Sequence, residues 1–132
     1  MELNNFKLLT DGIGLIYLPD NSSLVHDYEK HVTNNMAEGS EMRILFEKFQ
    51  DEGWIHSYKK FNDEKEGFFS FKTKNIRVYG LLIKGTNKNY FIISEVFIKQ
   101  NKPKEHNNAI KNSKKRLQNY EYNIQRIYDN KG

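Results

Sequence analysis

The chain has 132 residues, which is enough for one domain and too few for two full ones. It contains no cysteine, which excludes disulfides, thiolate metal sites and cysteine nucleophiles. The net charge of +4 hides an asymmetry: residues 1–71 carry 7 Lys and Arg against 13 Asp and Glu, whereas residues 72–132 carry 14 against 4. The basic half favours a nucleic acid or another anionic partner, and a solvated basic helix without a partner is the alternative.

Two apolar runs flank Asp11-Gly12, a dipeptide typical of hairpin turns, and predict a β-hairpin over residues 6–18. A helix is expected next, from Ser22 or Ser23 to about residue 36. Its apolar residues recur at helical spacing and should form a buried stripe made of Leu24, Tyr28 and Val32.

A second helix is predicted over about residues 41–52. Gly39 should break the chain between the two helices, Ser40 should cap the second one, and Gly53 should end it. The apolar side chains of this helix lie on one face and are expected in the core: Met42, Leu45, Phe46 and Phe49.

Beyond Gly53 the hydrophobic period becomes that of strands. A short strand is expected at 54–61 and a charged turn at 62–67. Longer strands follow at 68–74, 76–84 and 90–100. Their connections are too short for crossovers, so the strands should form an antiparallel meander. A basic helix over about 104–127 is expected to close the pattern.

The predicted fold is therefore a single α+β domain over residues 1–132. It consists of N-terminal helices, an antiparallel sheet meander and a C-terminal basic helix. The helices should cover one face of the sheet and leave the other open to water or to a ligand. The apolar runs are much shorter than the roughly 20 residues of a membrane-spanning helix, and no leader of the secretory type opens the chain. We expect a cytoplasmic protein without a membrane partner.

One arginine lies inside the apolar strand 76–84. Side chains alternate between the two faces of a strand, so Arg77 and Tyr79 should share the face opposite the core. A half-buried guanidinium needs a partner, which a phosphate or an acidic side chain such as Glu95 would supply. Lys72 and Lys74 end the preceding strand, and they are expected to converge with Arg77 and with Lys99 of the next strand. Such a cluster suits an RNA backbone.

A family resemblance rests on these same strands. The matching pieces are Phe69-Ser70-Phe71-Lys72, Asn75-Ile76-Arg77-Val78-Tyr79, the strand from Tyr90 to Gln100, and a polar linker with Pro103 before a helix carrying Ala109 and Arg116. The stretch from Phe69 to Tyr120 resembles the RelE/HigB-like toxins of type II toxin–antitoxin systems. It covers somewhat under half of the chain.

The resemblance implies a metal-independent mRNA endoribonuclease that often acts on ribosome-bound message and is neutralised by an antitoxin protein. Under this hypothesis, the 2′-hydroxyl of the RNA attacks the adjacent phosphate. Arg77 would stabilise the phosphate, Lys72 and Lys74 would hold the backbone or supply acid–base function, and Tyr79 would stack a base or position the nucleophile. Further contacts to RNA would come from Lys99, Lys102 and Lys104.

Two other functions remain open. Gln100 stands where the toxins have a second lysine, which leaves room for a non-catalytic nucleic-acid-binding domain. The basic helix 104–127 could instead dock an acidic protein partner. No cofactor or metal site is expected, because His26, His31, His56 and His106 form no ligand motif, although His56 is a candidate general base.

Overall fold

The structure is a computed structural model that describes residues 6–9, 12–16, 23–57, 59–84 and 89–98, together with 107, 108 and 110–112. Within these residues, α-helices and one six-stranded sheet give the α+β architecture that the sequence predicts. The helices are α1 (Ser23–Tyr28), which continues into a π-helical turn (Glu29–Thr33), and α2 (Glu38–Glu52). The strands are β1 (Phe6–Leu8), β2 (Ile13–Ile16), β3 (Phe61–Asp63), β4 (Phe68–Lys72), β5 (Ile76–Lys84) and β6 (Asn89–Ile98).

The sheet is mixed, with the strand order β1-β2-β6-β5-β4-β3. The antiparallel meander from β3 to β6 and the hairpin of β1 and β2 are both confirmed. The sequence analysis did not predict how the hairpin joins the meander: β2 pairs with β6 in parallel, Ile13 lying opposite Phe91, and this makes the sheet mixed. This pairing satisfies the backbone groups along the outer side of β6, which would otherwise form an open sheet edge.

The junction between the helices differs from the prediction. Gly39 does not break the chain but is the second residue of α2, and Ser40 does not cap the helix, since its hydroxyl donates to the carbonyl of Met36. The break falls at residues 34–37, where the Asn35 side chain accepts the backbone N–H of Glu38 at 3.1 Å. A Cβ at position 39 would lie 2.1 Å from the carbonyl oxygen of Val32, so glycine is needed for a close helix contact.

The end of α2 agrees with the prediction. Gly53 adopts a left-handed conformation, with φ of 73°, and its N–H donates to the carbonyl of Phe49. This is the usual way for glycine to terminate a helix. The apolar faces of both helices are buried as expected, at Leu24, Tyr28, Val32, Met42, Leu45, Phe46 and Phe49.

The strand predicted at 54–61 was wrong except for its last residue. The segment before β3 turns back on itself, because the N–H groups of Lys60 and Phe61 both donate to the carbonyl of Ser57. Trp54 packs edge-on against Phe61 and Phe69, with ring centroids 5.3 Å from each. Hydrophobic packing thus holds this segment without a partner strand.

Helix α2 covers one face of the sheet through an aromatic cluster. Phe49 contacts Phe71 and Phe91 at centroid distances of 5.7 and 6.2 Å, and Phe46 meets Phe71 edge-on at 5.1 Å. The side chains of the opposite face are buried as well, including Ser70 and Tyr79, which are 0% and 1% exposed. The expectation of an open second face was therefore wrong over this part of the sheet.

The predicted C-terminal helix lies mostly outside the described residues, although residues 107, 108 and 110–112 are helical. Among the helices that the structure describes, none combines the length and apolarity needed to cross a membrane.

Candidate functional site

Five basic residues of the meander and of the turn before it lie at one end of the sheet, whereas Lys84 lies at the other end of β5. Strand β4 ends at Lys72, and β5 begins with Ile76, which lies opposite Ile98 at the end of β6. Strand β3 begins at the same end, because Phe61 pairs with Phe71. We call this end, with Lys59, Lys60, Lys72, Lys74 and Arg77, the lysine end.

A pocket of about 510 Å³ opens at the lysine end, between α2 and the sheet. Four lysines contribute to its wall against one carboxylate, Glu41, so its lining carries a net positive charge. Ile44 and Leu45 of α2 supply an apolar side, and Ile44 is 62% exposed. The residues lining the pocket are Glu41, Ile44, Leu45, Lys59, Lys60, Lys72, Thr73 and Lys74.

Lys59 and Lys60 belong to this pocket and were missed by the sequence analysis. The strand predicted at 54–61 would have sent two consecutive side chains to opposite faces. In the structure they lie in the turn closed on Ser57, and the carbonyl of Lys60 accepts the backbone N–H of Lys72 at 2.8 Å. Both lysines therefore reach the same pocket as the end of β4. The two consecutive lysines directly before Phe61 were the sequence signal from which these pocket residues could have been predicted.

Arg77 is the second residue of β5 and is not among the residues that line the pocket. It is opposite Lys72 in the ladder, so the two side chains share one face of the sheet. Its Nη1 donates to the carbonyls of Thr73 and Ile76 at 2.5 and 3.0 Å. Across β6 its direct neighbour is Phe97, whereas Glu95 lies opposite Tyr79. The guanidinium is thus oriented by backbone carbonyls of the turn that joins β4 to β5.

Tyr79 is placed on the same face as Arg77, as expected, but it is 1% exposed. Its ring stacks on Phe97 at a centroid distance of 5.1 Å, so in this structure a nucleic-acid base has no access to it. Burial, and after it the nearby Glu64 carboxylate, raises the pKa of the Tyr79 phenol well above its ordinary value. The hydroxyl therefore stays protonated at neutral pH and cannot act as a base there.

Three of the expected RNA contacts, Lys99, Lys102 and Lys104, lie outside the described residues. His56 is exposed, two positions after Trp54. The described part of the chain contains no group of three or more His, Cys, Asp or Glu side chains arranged to hold a metal ion.

The lysine end is suited to binding phosphate groups. Ammonium and guanidinium groups donate charge-assisted hydrogen bonds to phosphate oxygens, and several of them along a groove can track a nucleic-acid backbone. The apolar wall at Ile44 could contact a base or a sugar. Comparisons with protein-family models, with curated proteins and with solved structures find no match to this chain.

Proposed function

We propose that this protein is a toxin-like mRNA endoribonuclease, of the RelE/HigB-like kind, that holds the RNA backbone at the lysine end. The observation that carries the proposal is that four lysines line one pocket, and that one of them, Lys72, lies opposite an arginine oriented by backbone carbonyls. In this proposal the RNA is held by charge, and an antitoxin protein neutralises the activity by covering the same surface.

The pieces that carry the resemblance lie in three consecutive strands of the meander, which is the placement that the proposal requires. Phe69–Lys72 falls within β4, Ile76–Tyr79 opens β5, and the third piece forms β6 and continues beyond it. The basic residue that ends β4 lies directly opposite Arg77. The proposal extends to a RelE-like architecture with a basic helix over about 104–127.

The proposed reaction is a transesterification. The 2′-oxygen of the RNA forms a bond to the adjacent phosphorus, and the bond from phosphorus to the 5′-oxygen breaks. The products are a 2′,3′-cyclic phosphate and a 5′-hydroxyl, so one proton passes from the attacking oxygen to solvent water and one reaches the leaving oxygen. Arg77 would stabilise the added charge on the phosphate, and Lys72 and Lys74 would hold the backbone and supply the proton for the leaving group.

A second candidate is an RNA-binding domain that does not cleave its ligand. The burial of Tyr79 favours this alternative, because one of the four residues expected to act on the substrate cannot reach it in this structure. Binding alone requires only the charges of the lysine end, and its affinity should fall steeply as the salt concentration rises.

The test is induced expression in a bacterial host of the wild type and of Arg77→Ala, following growth and the integrity of mRNA. We expect growth arrest with cleaved message for the wild type and neither for Arg77→Ala. Lys84→Ala is the matched control, since Lys84 is exposed at the opposite end of β5. This variant should retain full toxicity.

Two results would contradict the proposal. A folded Arg77→Ala protein with full toxicity would remove Arg77 from the site. Normal growth and intact message with soluble wild-type protein, combined with salt-sensitive binding of RNA in vitro, would establish the second candidate instead.

A further inference from the structure

A single carboxylate of α2 fastens the turn between β4 and β5. Oε2 of Glu38 accepts the hydroxyl of Thr73 at 2.6 Å and the backbone N–H of Asn75 at 2.8 Å. Its other oxygen, Oε1, accepts the side-chain amide of Asn75 at 3.0 Å. Three hydrogen bonds thus join the first residue of the helix to a turn that follows it by 35 residues and more.

The same turn carries the basic groups of the site. Lys72 precedes it, Lys74 lies within it, and Arg77 follows it. Thr73 links Glu38 to Arg77, because its hydroxyl donates to the Glu38 carboxylate while its carbonyl accepts a hydrogen bond from Nη1 of Arg77. The turn is closed by a bond from the N–H of Thr73 to the carbonyl of Ile76 at 3.1 Å. A displacement of Thr73 would therefore move the guanidinium.

We propose that Glu38 is a positioning residue for RNA binding, which holds the β4–β5 turn so that Lys74 and Arg77 face one phosphate-bearing strand. The inference rests on the proposed function, since it names a residue that prepares the same site. Glu38 touches no RNA in this scheme and acts through Thr73 and Asn75.

If Glu38 acted only through its charge, its removal would strengthen RNA binding, whereas the proposed positioning role predicts weaker binding. The two explanations can therefore be told apart by experiment. A carboxylate near a basic pocket repels phosphate, so its removal should tighten RNA binding if it has no other role. Alanine and glutamine remove the same charge at position 38, but only glutamine keeps an oxygen that can accept from Thr73 and from the Asn75 N–H. A difference between the two variants therefore reports the hydrogen bonds and not the charge.

The experiment measures the dissociation constant of a single-stranded RNA oligonucleotide by fluorescence anisotropy, at one salt concentration, for the full chain and its variants. We expect Glu38→Ala to bind about three- to tenfold more weakly than Glu38→Gln. Glu47→Ala and Glu47→Gln form the matched control pair, because Glu47 is exposed on the same helix and does not line the pocket. These two should bind alike, and at least as tightly as the wild type.

Hydrogen exchange of the Asn75 backbone amide supplies a readout that does not depend on RNA. It should accelerate in Glu38→Ala and stay slow in Glu38→Gln. If Glu38→Ala does not fold, Thr73→Val removes one of the three bonds from the other side, and it should also weaken RNA binding.

Equal affinities for Glu38→Ala and Glu38→Gln, or an unchanged Asn75 exchange rate in Glu38→Ala, would overturn the role of Glu38 and leave the proposed function standing. A wild-type protein that shows no salt-sensitive affinity for RNA would reject the proposed function itself, and the role of Glu38 with it.

Discussion

The centre of the sheet beneath α2 and the lysine end are built in opposite ways. At the centre, Phe71 is 0% exposed and its ring contacts Phe46, Phe49, Phe61 and Phe91, with centroid distances of 4.8 to 5.7 Å. At the lysine end, which begins one residue further along β4, the side chains are charged and are half-buried or exposed. Hydrophobic burial dominates the first region, and hydrogen bonds to carbonyls and carboxylates order the second.

The comparison shows that strand β4 contributes both to the core and to the lysine end, because successive side chains point to opposite faces of the sheet. Phe71 and Lys72 are neighbours in sequence, yet their side chains leave the strand on opposite faces. Substitutions at the centre should therefore change stability, and substitutions at the lysine end should change binding of anions with little effect on stability. Four predictions test this division, from the largest expected effect to the smallest.

The largest effect is expected at the centre. Phe71→Ala should lower the free energy of unfolding by about 3–5 kcal/mol, because it removes a buried ring and leaves a cavity among the aromatic side chains that surround it. Urea denaturation measures the change. Lys74→Ala is the comparison at the lysine end and should shift stability by less than about 0.5 kcal/mol. Similar losses for both variants would contradict the division.

A smaller loss is expected where the two helices meet. Alanine normally favours a helix over glycine by about 1 kcal/mol. At Gly39 the added Cβ would instead lie 2.1 Å from the carbonyl oxygen of Val32. We expect Gly39→Ala to destabilise the protein by about 1–3 kcal/mol in the same assay. Gly12→Ala is the control, because the nearest atom to its Cβ would be 3.7 Å away. A stabilised Gly39→Ala protein would contradict this close contact.

At the lysine end the expected change concerns affinity. Lys60→Ala and Lys74→Ala should each weaken RNA binding by about 1 kcal/mol and reduce the slope of log affinity against log salt by about 1, as the loss of one phosphate contact does. Titrations at several salt concentrations measure both quantities. Lys65→Ala and Lys84→Ala change exposed lysines outside the pocket, and they should leave the slope unchanged. A uniform effect of all four would indicate attraction by net charge alone.

The smallest effect is a dependence of stability on pH. Burial raises the pKa of the Glu38 carboxyl, but the hydrogen bonds from Thr73 and Asn75 outweigh it and lower the pKa below the ordinary value of 4.5. Because the folded state favours the ionised form, this stabilisation is present above the ordinary pKa and is lost as the pH falls through the lowered one.

The wild type should accordingly be more stable than Glu38→Ala at pH 7, and the difference should shrink towards pH 3. Since Glu38 is only partly buried, the change stays below about 1 kcal/mol. Urea midpoints of the two proteins at both pH values measure it. A difference that is independent of pH would show that the carboxylate charge contributes nothing to the turn.

Much of the fold could be predicted because it depends on the spacing of apolar residues and on the positions of turn residues and glycines within short segments. The spacing of Leu24, Tyr28 and Val32, and the glycine at position 53, indicated helices and a helix end that the structure contains. The bounds of β5, Ile76–Lys84, agree with the prediction, since apolar residues between a polar turn and a glycine define a strand by themselves. The sequence also predicted that Lys72 would lie near Arg77, because one predicted strand ends where the next begins, and the structure pairs these two residues.

The features that were predicted wrongly, or not predicted, depend on contacts between segments that are distant in the sequence. Gly39 was read as a helix breaker because its sequence neighbours do not reveal that Val32 packs against it. The parallel pairing of β2 with β6 joins segments with no shared local signal. Lys59 and Lys60 were assigned to a strand, because the aromatic packing that replaces a partner strand there is invisible in the sequence.

The sequence by itself determined the helices, the meander and the sign of the charge in each half, because hydrophobic period and composition act locally. Only the tertiary structure decided that four lysines share one pocket and that Glu38 holds the turn beside them. The physical reason is that hydrogen bonds and charge clusters require atoms within a few ångströms of each other. For residues far apart in the chain, the packing of helix on sheet sets that distance.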